Sequence, residues 1–164
     1  MFIKFRVSKP EIPFEHMEMD RAANCIKFIW IHGSKRMAYL LYVIDIKTRA
    51  ILGWILQYSI KKNDVIDLIA AIASHYCFPL NVTIRSDNEA QFEARLVREY
   101  LNEMQIQQEF SHVATPEDNG HIESYHYIIK KAVCNVFKFV DLNSAVAIIH
   151  KLFTFKITKD CTLA

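Results

Sequence analysis

Three acidic side chains stand where catalytic groups gather: Asp20 ahead of the first strand-like run, Asp87 at the end of a short apolar strand, and Glu123 at the start of a helical pattern. A junction between strand and loop lets side chains converge on a cleft. In the helical pattern, Ile122, Tyr125, Ile129, Val133 and Val136 share one face. Glu123 points well away from that face, together with Tyr127, Lys130 and Cys134, as an acid turned from the core. Carboxylates so placed could serve acid–base work or hold a hard cation. Each also has a bland explanation: the macrodipole favours any acid in a first helical turn, and an Asp after a strand often caps a turn. Only the wording around them separates the two readings.

The elements that must position these acids come from a chain of 164 residues with 20 Lys+Arg, 18 Asp+Glu and a net charge of +2. A hydrophobic content of 52% with so small a net charge excludes disorder. Only 3 Gly and 4 Pro exclude collagen-like and low-complexity classes and leave little room for long loops. One compact domain is expected. No apolar run approaches the ~18–20 residues of a membrane helix, and residues 1–10 lack the apolar centre of a signal peptide. A cytoplasmic protein is expected. Cys25, Cys77, Cys134 and Cys161 form no metal-finger spacing and read as reduced thiols.

An irregular arm over residues 1–19 precedes three β-like runs, Ile26–His32, Ala38–Ile46 and Ala50–Tyr58, joined by links short enough for antiparallel hairpins. Asn63 reads as the N-cap of a helix over Asp64–Tyr76. A strand over Asn81–Arg85, a helix over Gln91–Met104 with Val97, Leu101 and Met104 on one side, and a strand over Ile106–Phe110 follow. A third helix is expected over His121–Phe137 and a fourth from an N-cap at Asp141 to Phe153. Trp30, Tyr42 and Trp54 read as core. The order predicts an α/β fold with a mixed sheet covered by helices.

The wording resembles a known family. Ser86-Asp87-Asn88-Glu89-Ala90-Gln91-Phe92 is similar to the S-D-N-G-x-x-F signature of retroviral integrases and bacterial insertion-sequence transposases, and Pro116-Glu117-Asp118-Asn119-Gly120-His121-Ile122-Glu123 to their P-x-x-N-G-x-x-E signature. The 35 residues between Asp87 and Glu123 match the family spacing, and the run from Tyr42 through Asp45 to Trp54 is similar to its V-I-D-x-x-S-R-x-I-x-G-W hairpin. The resemblance implies an RNase H-like fold with a five-stranded mixed sheet, three antiparallel strands first, in a catalytic core over residues 20–155 followed by an aberrant tail over 156–164.

It further implies a polynucleotidyl transferase with a DDE triad, in which Asp20, Asp87 and Glu123 are the catalytic and metal-binding residues. The implied cofactor is Mg²⁺, two ions, with Mn²⁺ as a substitute. Hard cations favour carboxylate oxygens, and a metal pair ~3.5–4 Å apart can clamp the attacking and leaving oxygens at phosphorus. The implied partners are DNA, as transposon ends and target, and further copies in a homodimer or higher multimer, with no membrane; the setting would be the bacterial cytoplasm, at the nucleoid. The first acid departs from the pattern. The family places it directly before a strand of the type D-I-K-Y-I, whereas Arg21-Ala22-Ala23-Asn24-Cys25 separates Asp20 from Ile26-Lys27-Phe28-Ile29. Either Asp20 is catalytic and the five residues bulge out, or Cys25 falls in the catalytic register. Glu89 also replaces the usual Gly. With these departures and unusual ends, an inactive truncated remnant that only binds DNA or dimerises is the alternative.

Charge is uneven along the chain. Residues 86–123 hold nine acids against Arg95 and Arg98, a balance of −7, whereas residues 124–164 hold six lysines against two acids, a balance of +4. DNA phosphates would then meet lysines. Lys130 returns to the Glu123 face two turns along, at a basic position that the family turns toward DNA, with Lys131 beside it. Asn119 and Gly120 complete the expected DNA-binding set, although turn formation alone explains both. His112, His121 and His126 lack the spacing of a helical metal pair.

Overall fold

A computed structural model of the chain describes residues 21–45, 50–76, 82–86, 89–110, 124 and 126–160. β1 (Arg21–Ile31), β2 (Arg36–Asp45) and β3 (Ile51–Gln57) form an antiparallel meander, and β4 (Thr83–Ser86) and β5 (Gln107–Phe110) add in parallel on the far side of β1. The sheet order is β3-β2-β1-β4-β5, the mixed five-stranded sheet expected. β-branched and aromatic residues dominate the meander because they fill a pleated, buried surface.

Alternation splits the core into two layers. On one face Ile29, Leu40, Tyr42, Ile44, Trp54 and Leu56 pack against Ile129, Val133, Val146, Ile149 and Phe153. On the other, Ile26, Leu41, Val43 and Ile84 pack against α1 (Lys62–Tyr76), α2 (Ala90–Glu93) and α3 (Arg95–Glu103) through Val65, Leu68, Ile72, Phe92, Val97 and Leu101. Trp54 and Tyr42 are core as expected, but Trp30 is 44% exposed. β4 pairs only with positions 21–23 of β1, which leaves the hairpin end of that strand short of cover on this face.

Several boundaries move for identifiable reasons. β1 starts at Arg21, five residues before the expected Ile26, and its ladder with β2 runs from Ala22↔Asp45 to Ile31↔Arg36 without a register shift. The run 21–25 is therefore regular strand and not a bulge. α1 begins at Lys62, and the Asp64 carboxylate accepts the Lys61 N–H at 2.7 Å. The expected Gln91–Met104 helix is cut at Ala94, whose ψ of 133° is extended. α3 closes with Ile106 N–H donating to Leu101 O at 2.8 Å and Gln105 N–H donating to Asn102 O, Gln105 standing at φ 57°. This is a Schellman closure without its usual glycine, and it leaves Met104 exposed where a core position was expected.

The helix after Glu123, here α4 (residues 126–134), ends in a π-helical turn over Lys130–Cys134, with Asn135 N–H donating to Lys130 O. The wider turn shifts the helical phase. Ile129 and Val133 are buried as their spacing requires, but Val136 is 65% exposed. α5 (Leu142–Asp160) starts where expected, with the Ser144 N–H donating to the Asp141 carboxylate at 2.7 Å, and runs past Phe153. Between these helices Phe139 bridges to Ile31 and its carbonyl accepts the His32 N–H at 2.8 Å. Gly33 is needed there, because a Cβ would run into the Val140 carbonyl.

Candidate active site

Asp20, Asp87, Asn119, Gly120 and Glu123 lie outside the described residues, as do His112 and His121. Their neighbours define the frame. β1 and β4 lie side by side in parallel, pairing Arg21 with Thr83, Ala22 with Ile84 and Ala23 with Arg85. β4 ends at Ser86, immediately before Asp87. Two residues beyond the Ala23↔Arg85 pair, the two strands' sequences reach Cys25 and Asp87. Cys25 pairs on its other side with Tyr42, which pairs with Trp54 on β3. Asp20 precedes Arg21, which is level with the start of β4 and not with its end.

α4 closes over this row. Its His126, half-buried, meets the Tyr42 ring edge-on at 6.0 Å, while Phe153 of α5 lies 6.1 Å from Tyr42 and 5.7 Å from Trp54. Aromatic edges and faces at these separations add about 0.5–1.5 kcal/mol per pair to area burial. The helix that follows Glu123 is thus tied to the strand position opposite Cys25.

The charges nearby fall into two groups. Arg85 is buried, and its guanidinium donates to the Glu109 carboxylate through Nη2 at 3.2 Å and Nε at 3.3 Å, a pair set by the direct Arg85↔Glu109 register. On α4, Lys130 and Lys131 are exposed, and the Lys131 ammonium lies 5.8 Å from the Tyr127 ring centre. Burial pushes the Cys134 thiol up, while the charges of Lys27 and Lys130 pull it down. Lys27, two residues after Cys25, interrupts the β1 face that continues with Ile29 and Ile31. Asp45 is buried at the far end of β2, paired with Ala22, and its N–H donates to Ala50 O at 2.9 Å to close the hairpin.

No group of three His, Cys, Asp or Glu among the described residues could hold a metal ion. Continuing the parallel register, position 24 of β1 falls level with Ser86, the end of β4.

The integrase core domain family matches residues 10–116, about two-thirds of the chain. The chain belongs to the integrase core family. Solved structures agree on the fold. The catalytic domain of Mos1 mariner transposase superposes with a TM-score of 0.66 at 12% identity, over 85% of this chain and 72% of that one. The HTLV-2 integrase catalytic core domain, solved with magnesium, gives 0.58 at 16% identity over 79% and 80%. A simian T-cell lymphotropic virus intasome, in complex with PP2A regulatory subunit B56 gamma, gives 0.62 at 11% identity over 90% and 52%, so the integrase core here spans about half of that chain. No curated protein matches the sequence. The fold is the RNase H-like fold of integrase and transposase catalytic domains. Among the described residues no helix is long and apolar enough to cross a membrane.

Proposed function

We propose that this integrase core processes DNA by phosphoryl transfer, cleaving a strand and joining the released 3′-hydroxyl to a target. The observation that carries the reading is the convergence of three segments. β1 and β4 run side by side, β4 ends one residue before Asp87, and α4, which follows Glu123, packs on the face of Tyr42. Asp87 and Glu123 supply two of the carboxylates, and the third ligand comes from the start of β1, where Asp20 and Cys25 compete. A divalent pair, when bound, lowers the cost of charge on the entering and leaving oxygens. Lys130, Lys131 and Lys27 meet the phosphates electrostatically, while Asn119 and Gly120 shape the loop entering the Glu123 helix. Transposon ends and target DNA are the substrates, and a dimer or larger assembly is the acting form.

The test is nicking of supercoiled plasmid in Mn²⁺ and in Mg²⁺, alongside duplex binding. Glu123→Gln and Asp87→Asn should abolish nicking and leave both duplex binding and the melting temperature in place. A second reading, a non-catalytic module that binds DNA or dimerises, draws on the continuous β1 strand, in which residues 21–25 pair in regular register and do not bulge. It predicts duplex binding with no nicking in either metal.

A further inference from the structure

We propose that the hairpin end of β1 and β2 is a docking surface for an unpaired DNA strand, whose bases stack on Phe28 and Trp30. Three cross-strand rows follow one another on one face of the sheet. Ile26↔Leu41 is buried under the helices of that face. Phe28↔Tyr39 is half open, with Phe28 49% exposed, and Trp30↔Met37 is open on both strands. The Tyr39 ring meets Phe28 edge-on at 5.2 Å and braces it. An exposed apolar row that continues the core marks a contact surface.

Charge identifies the partner. Residues 21–44 hold Arg21, Lys27, Lys35 and Arg36 and no acid. Lys35 and Arg36 are exposed where the hairpin turns between Trp30 and Met37. The Arg36 guanidinium lies 4.6 Å from the Tyr58 ring centre, and the Tyr58 hydroxyl shares a 2.9 Å hydrogen bond with Ser34, which ties that cation to the hairpin. A second copy of this hairpin would bring the same cations against these. Residues 1–10 would bring Lys4, Arg6 and Lys9, again with no acid. Like charges disfavour both as the cover. A polyanion with flat apolar rings suits the surface. Phe28 and Trp30 stand about 6.6 Å apart along the strand, a spacing that two splayed successive bases can meet. A duplex keeps its base faces in its own stack, so ring stacking selects an unpaired strand.

That the strand is DNA rests on the phosphoryl-transfer reading. Binding is measured without metal or cleavage, so either can fail alone: oligo-dT binding in a chain that nicks nothing removes that reading and leaves this proposal standing. The full chain is titrated with oligo-dT of about twelve nucleotides, with oligo-rU and with a duplex of the same length. Trp30→Leu and Phe28→Leu should each weaken oligo-dT binding about tenfold and leave duplex binding unchanged. Phe28→Tyr keeps a ring and should bind as the wild type does. Arg36→Gln should flatten the dependence of log K on log salt for oligo-dT by about 0.7.

Leucine variants that keep the wild-type melting temperature and bind oligo-dT as before overturn the proposal, as does a loss shared equally by the duplex. Tighter binding of oligo-rU than of oligo-dT overturns the assignment to DNA. A second measurement needs no variant binding data, because Trp54 is buried and Trp30 is not. Acrylamide should quench Trp30 in the free chain, and oligo-dT should protect it. A Trp30 already shielded before DNA is added shows the patch covered by residues 1–20 or by a second copy, and overturns the proposal.

Discussion

Tyr42 stands directly across the β1–β2 ladder from Cys25, and its ring packs against His126 of α4 and Phe153 of α5. One side chain therefore connects the middle of the sheet with both helices on that face. Whatever chemistry the integrase core performs depends on this layer staying closed, because α4 continues the chain from Glu123.

Phe153→Ala should open that layer. Phe153 is fully buried and contacts both Tyr42 and Trp54. Removing a buried phenyl ring costs about 3–5 kcal/mol through lost transfer energy and the cavity left behind. The urea midpoint should fall accordingly, and emission from Trp54 should shift to the red. An unchanged midpoint would mean that α5 does not close the core.

Lys130→Ala and Lys27→Gln should weaken duplex binding without sequence preference. Each lost phosphate contact should flatten the dependence of log K on log salt by about 0.9. Titrations at several salt concentrations report this directly, and an unchanged slope would remove that lysine from the DNA surface. The same two ammonium groups lower the Cys134 thiol pKa against the effect of burial. The double substitution should therefore slow alkylation of Cys134 at a fixed mildly alkaline pH.

Glu109→Gln should destabilise the sheet end beside Asp87. It keeps the shape of the side chain but strips the charge that faces buried Arg85. Since the Glu109 side chain is 37% exposed, water softens the loss to about 1–2 kcal/mol. Chemical denaturation checks it, and Glu109→Asp should restore part of the difference.

Gln105→Gly should stabilise the protein. Gln105 holds a left-handed conformation at φ 57°, where a Cβ is unfavourable. Glycine relieves this at a cost in unfolded-state entropy, for a net gain of about 0.5–1 kcal/mol. A rise in melting temperature is the expected readout, and a fall would show that the glutamine side chain is needed there.

Much of the architecture was legible before any tertiary information. The apolar runs of β2 and β3, the 3.6-residue stripe of Val65, Ile69 and Ile72, and the Asp141 cap of α5 are local patterns governed by local energetics. The readings that missed turned on single backbone choices: extended ψ at Ala94, the π-turn at Lys130–Cys134 and left-handed φ at Gln105. None of these has a compositional signature; the break at Ala94 split one helix, and the other two left Val136 and Met104 exposed.

The sequence by itself determined the family, through its ordered words around Asp87 and Glu123, and left both Asp20 and Cys25 open as the first ligand. Only the tertiary structure decided how β1 registers against β4, a parallel pairing of Ala23 with Arg85 that spans some sixty residues of chain. Local propensity leaves such a register free, since sliding by two residues preserves which side chains face the core. Burial on both faces of the sheet, with β2 locking β1 from the other side, sets it.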